Sequence, residues 1–296
     1  MKIGVIVPGA ASDSEGGRPS WPAILSFARA AEAHGLDSVW MFDHFFHKPS
    51  SGPIDGQLEA WTVVSALAAA TERVEIGTLV LCSSFRHPST VAKMAVTADE
   101  VSGGRLILGL GAGWHDAEYE AFGFPKDHRV ERFEEALRIV RPLLRGETVT
   151  FQGDYVTARD AVLEPPPSRD IPILVAAFGP RMLGLTARYA DAWNTAWFGP
   201  PDDRLRERLG ALDAAIAAEG RDPATLERTV GIEVRDPETA PSAGQDGDDR
   251  AFDGSVGELA EALAAYDELG IGHLMVVLQP MTEASLERLA LALARR

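Results

Sequence analysis

The chain has 296 residues, 46% of them hydrophobic, enough to fill the core of one large α/β domain or two smaller ones. Its 28 Lys and Arg stand against 44 Asp and Glu, a formal charge of −16, which argues against nucleic acid or an anionic membrane as partner. The single cysteine, Cys82, excludes an internal disulfide, and the opening apolar run 3–7 before Pro8 is too short for a signal peptide; a soluble cytoplasmic protein is expected.

Residues 3–7 read as a short strand, followed by a Gly/Ser-rich loop over 10–19. Ser20 is placed to cap a helix with Ile24, Phe27, Ala28 and Ala31 on one face, closed at Gly35. A second strand, 38–42, ends in Asp43-His44, and an aromatic, Pro/Gly-bearing loop runs on to Gln57. A helix over 58–71 leads to an apolar, β-branched strand at 74–81, while 82–87 is too polar to continue it. His87-Pro88 opens the next helix, with Val91, Met94, Ala95, Ala98 and Val101 at helical spacing and Gly103-Gly104 as its stop. The fourth strand is 105–110, with Gly109, Gly111 and Gly113 clustered at its carboxyl end. A polar segment, 115–128, precedes a helix over 130–145. Residues 147–167 look like a small hairpin insertion turning at Gly153-Asp154. Strands at 172–176, 192–196, 229–234 and 273–278 alternate with helices at 181–189, 202–219, 255–269 and 285–296. The charged helix 202–219 is expected to present a solvated face, and 236–253 reads as a mobile acidic loop.

Eight strand–helix alternations point to a (β/α)8 barrel over residues 1–296, ahead of an open doubly wound sheet. In such a barrel the chemistry sits at the carboxyl ends of the strands, which here offers Pro8, Asp43-His44, Cys82 to Arg86, Gly111 to Glu118, Ala176 to Pro180, Ala196 to Phe198 and Gln279-Pro280. Rim glycines let backbone approach a ligand, or serve close strand packing. Read alone, Cys82 is a small buried hydrophobe, Arg86 either an ion-pair partner or a contact for an acidic ligand tail, and His115, Asp116 and Glu118 a solvated group; no metal is expected.

The stretches FDHFF, LEAWTVVSALAAATERVEIGTLV, RHPSTVAKM, SGGRLILGLGAGW, ERFEEALRIVRPL and ARYADAWN, in this order, resemble the luciferase-like monooxygenase superfamily, and within it the deazaflavin (coenzyme F420) dependent oxidoreductases. The resemblance implies a luciferase-like TIM barrel that moves hydride between F420 and a small apolar substrate, and a homodimer. FMN-dependent monooxygenation and non-catalytic flavin binding are the alternatives. It implies a ring-supporting bulge with a non-prolyl cis peptide, expected at Cys82-Ser83. His44 would transfer a proton, with Asp43 orienting its imidazole. Arg86, Gly111, Gly113 and the segment Ala176, Ala177, Phe178, Gly179 would contact the cofactor, the last holding phosphate on backbone amides. Phe45, Trp114 and Trp197 would shape the substrate pocket. Trp114 stands where sugar-phosphate dehydrogenases of the family have a glutamate, which counts against such a substrate.

Overall fold

Short apolar runs bounded by glycine and proline, each followed by a helix with one apolar face, fold here as a closed ring of eight parallel strands. The computed structural model describes residues 1–14, 17–48, 53–238 and 251–296. The strands are β1 (Lys2–Ile6), β2 (Ser38–Met41), β3 (Glu75–Thr78), β4 (Leu106–Gly111), β5 (Ile173–Ala176), β6 (Ala192–Phe198), β7 (Glu227–Arg235) and β8 (His273–Gln279). Each pairs in parallel with the next, and β8 returns to β1, with Lys2 opposite His273 and Val5 opposite Val276. The barrel inferred from alternation is the observed architecture. Among the described residues no helix is long and apolar enough to cross a membrane.

The helices start and stop where local chemistry directs. The Ser20 side chain accepts from the Ala23 amide ahead of α1 (Trp21–Ala33). Helix α2 is Ala60–Ala70, and α3 (Pro88–Ser102) opens on its proline and stops at Gly103, left-handed at φ 68°. Helix α5 is Arg129–Leu144, α6 Pro180–Tyr189, α7 Asp203–Ala218, and α9 Glu283–Leu293. A reciprocal Ser255–Glu258 capping box starts α8 (Val256–Glu268). Apolar helix faces pack onto the outside of the ring, and a second apolar set containing Ile6, Trp40, Ile107, Leu174 and Met275 clusters separately.

A buried polar trio lies among these apolar residues. His273 on β8 lies 2.7 Å from Ser38 Oγ, to which Trp40 Nε1 donates, also at 2.7 Å. A Cβ at Gly4 would stand 1.9 Å from Ser38 Oγ, so glycine is required beside this trio. Burial pushes the His273 imidazole down to about 3, so it is neutral in the folded protein.

Four expectations need correction. The segment 115–128 contains a short helix, α4 (Asp116–Phe122), and Phe46–His47 pairs with Asp55–Gly56 in a hairpin within what reads as a loop. Helix α7 is not merely a solvated face: Leu205, Leu209, Leu212 and Ile216 are buried, and Arg208 donates to Thr195 Oγ1 and the Ala196 carbonyl. Strand β3 stops at Thr78 rather than Leu81. The insertion is the expected hairpin, Val149–Gln152 against Thr157–Ala161. Residues 15–16, 49–52 and most of the acidic loop, 239–250, lie outside the described residues.

Candidate active site

The site begins with a break in β3. After Thr78 the chain leaves the ladder at Leu79 and Val80 and rejoins it as Leu81–Cys82 alongside Leu110 and Gly111. The non-prolyl cis peptide lies at Leu79-Val80, not at Cys82-Ser83, and a second joins Ala196 to Trp197. All of 79–82 is apolar, so composition alone carried no mark of the break. The glycines of β4 accommodate this bulge. A Cβ at Gly109 would fall 1.9 Å from the Thr78 carbonyl oxygen, and one at Gly111 2.6 Å from Val80 Cγ2. At Gly113 it would meet Tyr119 Oη at 2.0 Å. These glycines are therefore demanded by the protein's own packing, although Gly111 and Gly113 also line the cleft.

The cleft opens at the carboxyl ends of the strands and has a cavity volume of about 180 Å³. His44 sits on its edge just beyond β2. Its Nδ1 is 2.8 Å from Glu118 Oε2, and Glu118 Oε1 accepts from the Phe45 and Phe46 amides. Glu118, on α4, is 1% exposed. Burial alone would raise its carboxyl, but the hydrogen bonds from His44 and the two amides outweigh it and hold the group below the usual carboxylate range. The orienting partner of His44 is thus Glu118, not Asp43. Sequence reading missed it by treating 115–118 as solvated; the signal was the pattern DAEYEAF, which puts Glu118 next to Tyr119 and one turn before Phe122.

Asp43 has a different task. Its Oδ2 accepts from the Cys82 amide at 2.8 Å, and both oxygens take the Arg86 guanidinium, at 2.8 and 2.9 Å. Arg86 also pairs with Glu59, the N-cap of α2. Arg86 is therefore consumed by an ion-pair network that ties β2, the bulge and α2 together, which corrects the expectation of a cofactor contact. Burial pushes the Cys82 thiol up to about 11, consistent with a packed rather than reactive thiol. Ser83 starts a 3-10 turn, Ser83–Phe85, and lines a neighbouring hollow instead of the cleft.

Across the cleft, Ala176, Phe178, Asn194, Ala196 and Trp197 form the opposite wall. Ala177 is buried, its carbonyl taken by Trp193 Nε1, so it does not face the cleft. Gly179 is the N-cap of α6 and leaves that helix without a side-chain cap beside Phe178. Trp114 and Phe178 stand exposed at the mouth, and Trp114 meets His44 edge-on with ring centroids 5.5 Å apart. Phe45 turns away from the cleft and stacks on Phe122 at 4.2 Å and beside Phe85 at 4.8 Å, a correction to its place in the pocket. Small and aromatic walls suit a flat fused ring, and the start of α6 beside Phe178 offers backbone amides without a side-chain cap. Among the described residues, no lysine or arginine lines the cleft.

Comparison with known proteins agrees with this geometry. The family profile described as luciferase-like monooxygenase matches residues 1–240. An F420-dependent glucose-6-phosphate dehydrogenase of Microbacterium testaceum is 33% identical over 217 residues, 71% of this chain and 63% of the relative. A phthiodiolone/phenolphthiodiolone dimycocerosates ketoreductase of Mycobacterium tuberculosis is 36% identical over 228 residues, 70% of this chain and 59% of the relative. The chain thus spans less than two thirds of the length of these relatives. The solved structure of an F420-dependent secondary alcohol dehydrogenase in complex with an F420-acetone adduct shares the fold with a TM-score of 0.81 at 22% identity, covering 98% of this chain and 97% of that one. With a bulged third strand, a cleft at the strand ends and a profile match over most of its length, the chain belongs to the luciferase-like monooxygenase family.

Proposed function

We propose that the protein is an F420-dependent oxidoreductase that moves hydride between the deazaflavin and a small, uncharged, largely apolar alcohol or carbonyl compound. The observation that carries this reading is the His44–Glu118 pair at the edge of an apolar cleft at the carboxyl ends of the barrel strands. The names of the relatives, an F420-dependent dehydrogenase and a ketoreductase, support the same reading. The bulge at Leu79 and Val80, with Gly111, Gly113, Ala176, Phe178 and Trp197, would hold the ring, and the amides opening α6 would take the phosphate. A bound deazaflavin supplies the hydride donor or acceptor.

The chain's own residues do the rest. With Nδ1 of His44 committed to Glu118, Nε2 is the ring nitrogen left to give a proton to the substrate oxygen or to take one from it. Trp114 and Phe178 place apolar surface at the mouth, against which an apolar substrate would pack. Among the described residues a phosphorylated sugar finds no lysine or arginine on the cleft wall, and Arg86 is already held by Asp43 and Glu59. The same reading takes residues 1–296 as one barrel domain acting in the cytoplasm as a homodimer.

The test is hydride transfer followed by the absorbance of oxidised F420, with secondary alcohols and ketones against glucose 6-phosphate. The wild type is expected to turn over the uncharged compounds, and His44→Ala to lose at least about 10²-fold in kcat, the usual worth of a positioned acid–base group. Unchanged turnover in His44→Ala would remove the proton-transfer role. Turnover of glucose 6-phosphate alone would overturn the substrate class, and no turnover at all would favour a flavin-binding protein.

A further inference from the structure

We propose that Glu118 is the positioning residue of this site, one carboxylate that both aims the His44 imidazole and docks the backbone that carries it. The inference rests on the hydride-transfer reading for its kinetic consequence, but its geometry stands apart from it.

Glu118 divides its two oxygens between two tasks. Oε2 takes His44 Nδ1 at 2.8 Å, and Oε1 takes the amides of Phe45 and Phe46, so three consecutive residues of the β2 exit are fixed by one side chain from α4. A carboxylate can accept several hydrogen bonds at once, and a neutral amide can match only part of that set. Neighbouring contacts reinforce the docking. Phe45 stacks on Phe122, one turn along from Glu118 on α4, and the Lys48 amide donates to His115 Nε2 at 3.2 Å. Tyr119, next to Glu118, donates to the Ala112 carbonyl at 3.0 Å and lies 3.2 Å from Cys82 Sγ, which fixes α4 to the end of β4 and to the resumed strand after the bulge. The imidazole and the bulge are thereby referred to the same short helix. Glu118 holds Nδ1 of the His44 ring, and the Trp114 ring lies edge-on to the imidazole with centroids 5.5 Å apart. A carboxylate at this place therefore sets which imidazole nitrogen faces the cleft, a property that overall packing does not determine.

Two substitutions separate aim from support. Glu118→Gln keeps an acceptor oxygen for the amides but gives His44 a neutral partner, whereas Glu118→Ala removes both. With the protein free of cofactor, the ring protons and nitrogens of His44 are read by NMR and assigned with His44→Gln. The wild type is expected to give a far-downfield Nδ1–H proton that Glu118→Gln shifts upfield or loses. In turnover, Glu118→Gln is expected to lower kcat about 10- to 100-fold while KM and the F420 dissociation constant stay within about threefold, and Glu118→Ala to weaken all three. A His44 spectrum unchanged in Glu118→Gln would overturn the proposal. So would a variant whose kcat is normal and whose only loss is thermal stability. Because the NMR result needs no cofactor, a wild type that fails to transfer hydride yet carries the Glu118-dependent proton supports the positioning role while removing the hydride-transfer reading.

Discussion

The buried trio of His273, Ser38 and Trp40 makes the pH dependence of stability calculable. Burial holds the folded imidazole near 3, against an ordinary value of 6.5 in the unfolded chain. A histidine depressed on folding favours the folded state fully above the unfolded value, and that advantage fades as pH falls. Between about pH 7 and pH 5 the folded protein keeps His273 neutral while the unfolded chain takes up a proton, so the unfolded chain alone sets the slope. The loss over that interval is about 2 kcal/mol, rising to roughly 4 kcal/mol near pH 3. His273→Gln removes the titration and keeps a polar group within reach of Ser38. Urea unfolding of both proteins at the two pH values, followed by tryptophan fluorescence and circular dichroism together, measures the difference. Other titrating groups, His115 included, contribute to both proteins and cancel. The wild type should lose about 2 kcal/mol more than the variant between pH 7 and pH 5. Parallel losses, within about 0.5 kcal/mol, would refute the reasoning.

Two further outcomes bear on the site. Arg86→Met leaves Asp43, whose side chain is 1% exposed, without its cation, and should cost roughly 3–5 kcal/mol in chemical denaturation. A variant of normal stability that binds the cofactor poorly would return Arg86 to ligand recognition. Trp114→Ala removes a ring 62% exposed at the mouth, so melting should barely move while KM for apolar substrates rises about tenfold. A fall in melting temperature with KM unchanged would make Trp114 a packing residue only.

Much of this architecture is written in local pattern. Ser20, Pro88, Gly103 and Ser255 mark helix boundaries through interactions made within a few residues, and the apolar runs read as strands at 38–42, 105–110 and 273–278 fold as β2, β4 and β8 within a residue at either end. What the sequence could not disclose depends on partners far along the chain. Glu118 lies 74 residues from His44, and Arg86 43 from Asp43. With Asp43 adjacent to His44, proximity in sequence suggested the wrong carboxylate. The bulge was misplaced for a related reason: 79–82 is uniformly apolar, and the break is visible only from the neighbours of Gly109 and Gly111 on the next strand. The same glycines looked ready for a ligand because sequence shows a missing side chain but not what fills the space.

The central claim is that this cleft is built for a deazaflavin, and the most direct measurement is a binding titration. Trp197 lines the cleft and Trp114 stands at its mouth, so intrinsic fluorescence should respond to an occupant of either part. Purified protein titrated with F420 should show saturable quenching, with FMN binding at least about tenfold more weakly, a difference of about 1.4 kcal/mol. Tighter binding of FMN, or no saturable binding of either, would contradict the account.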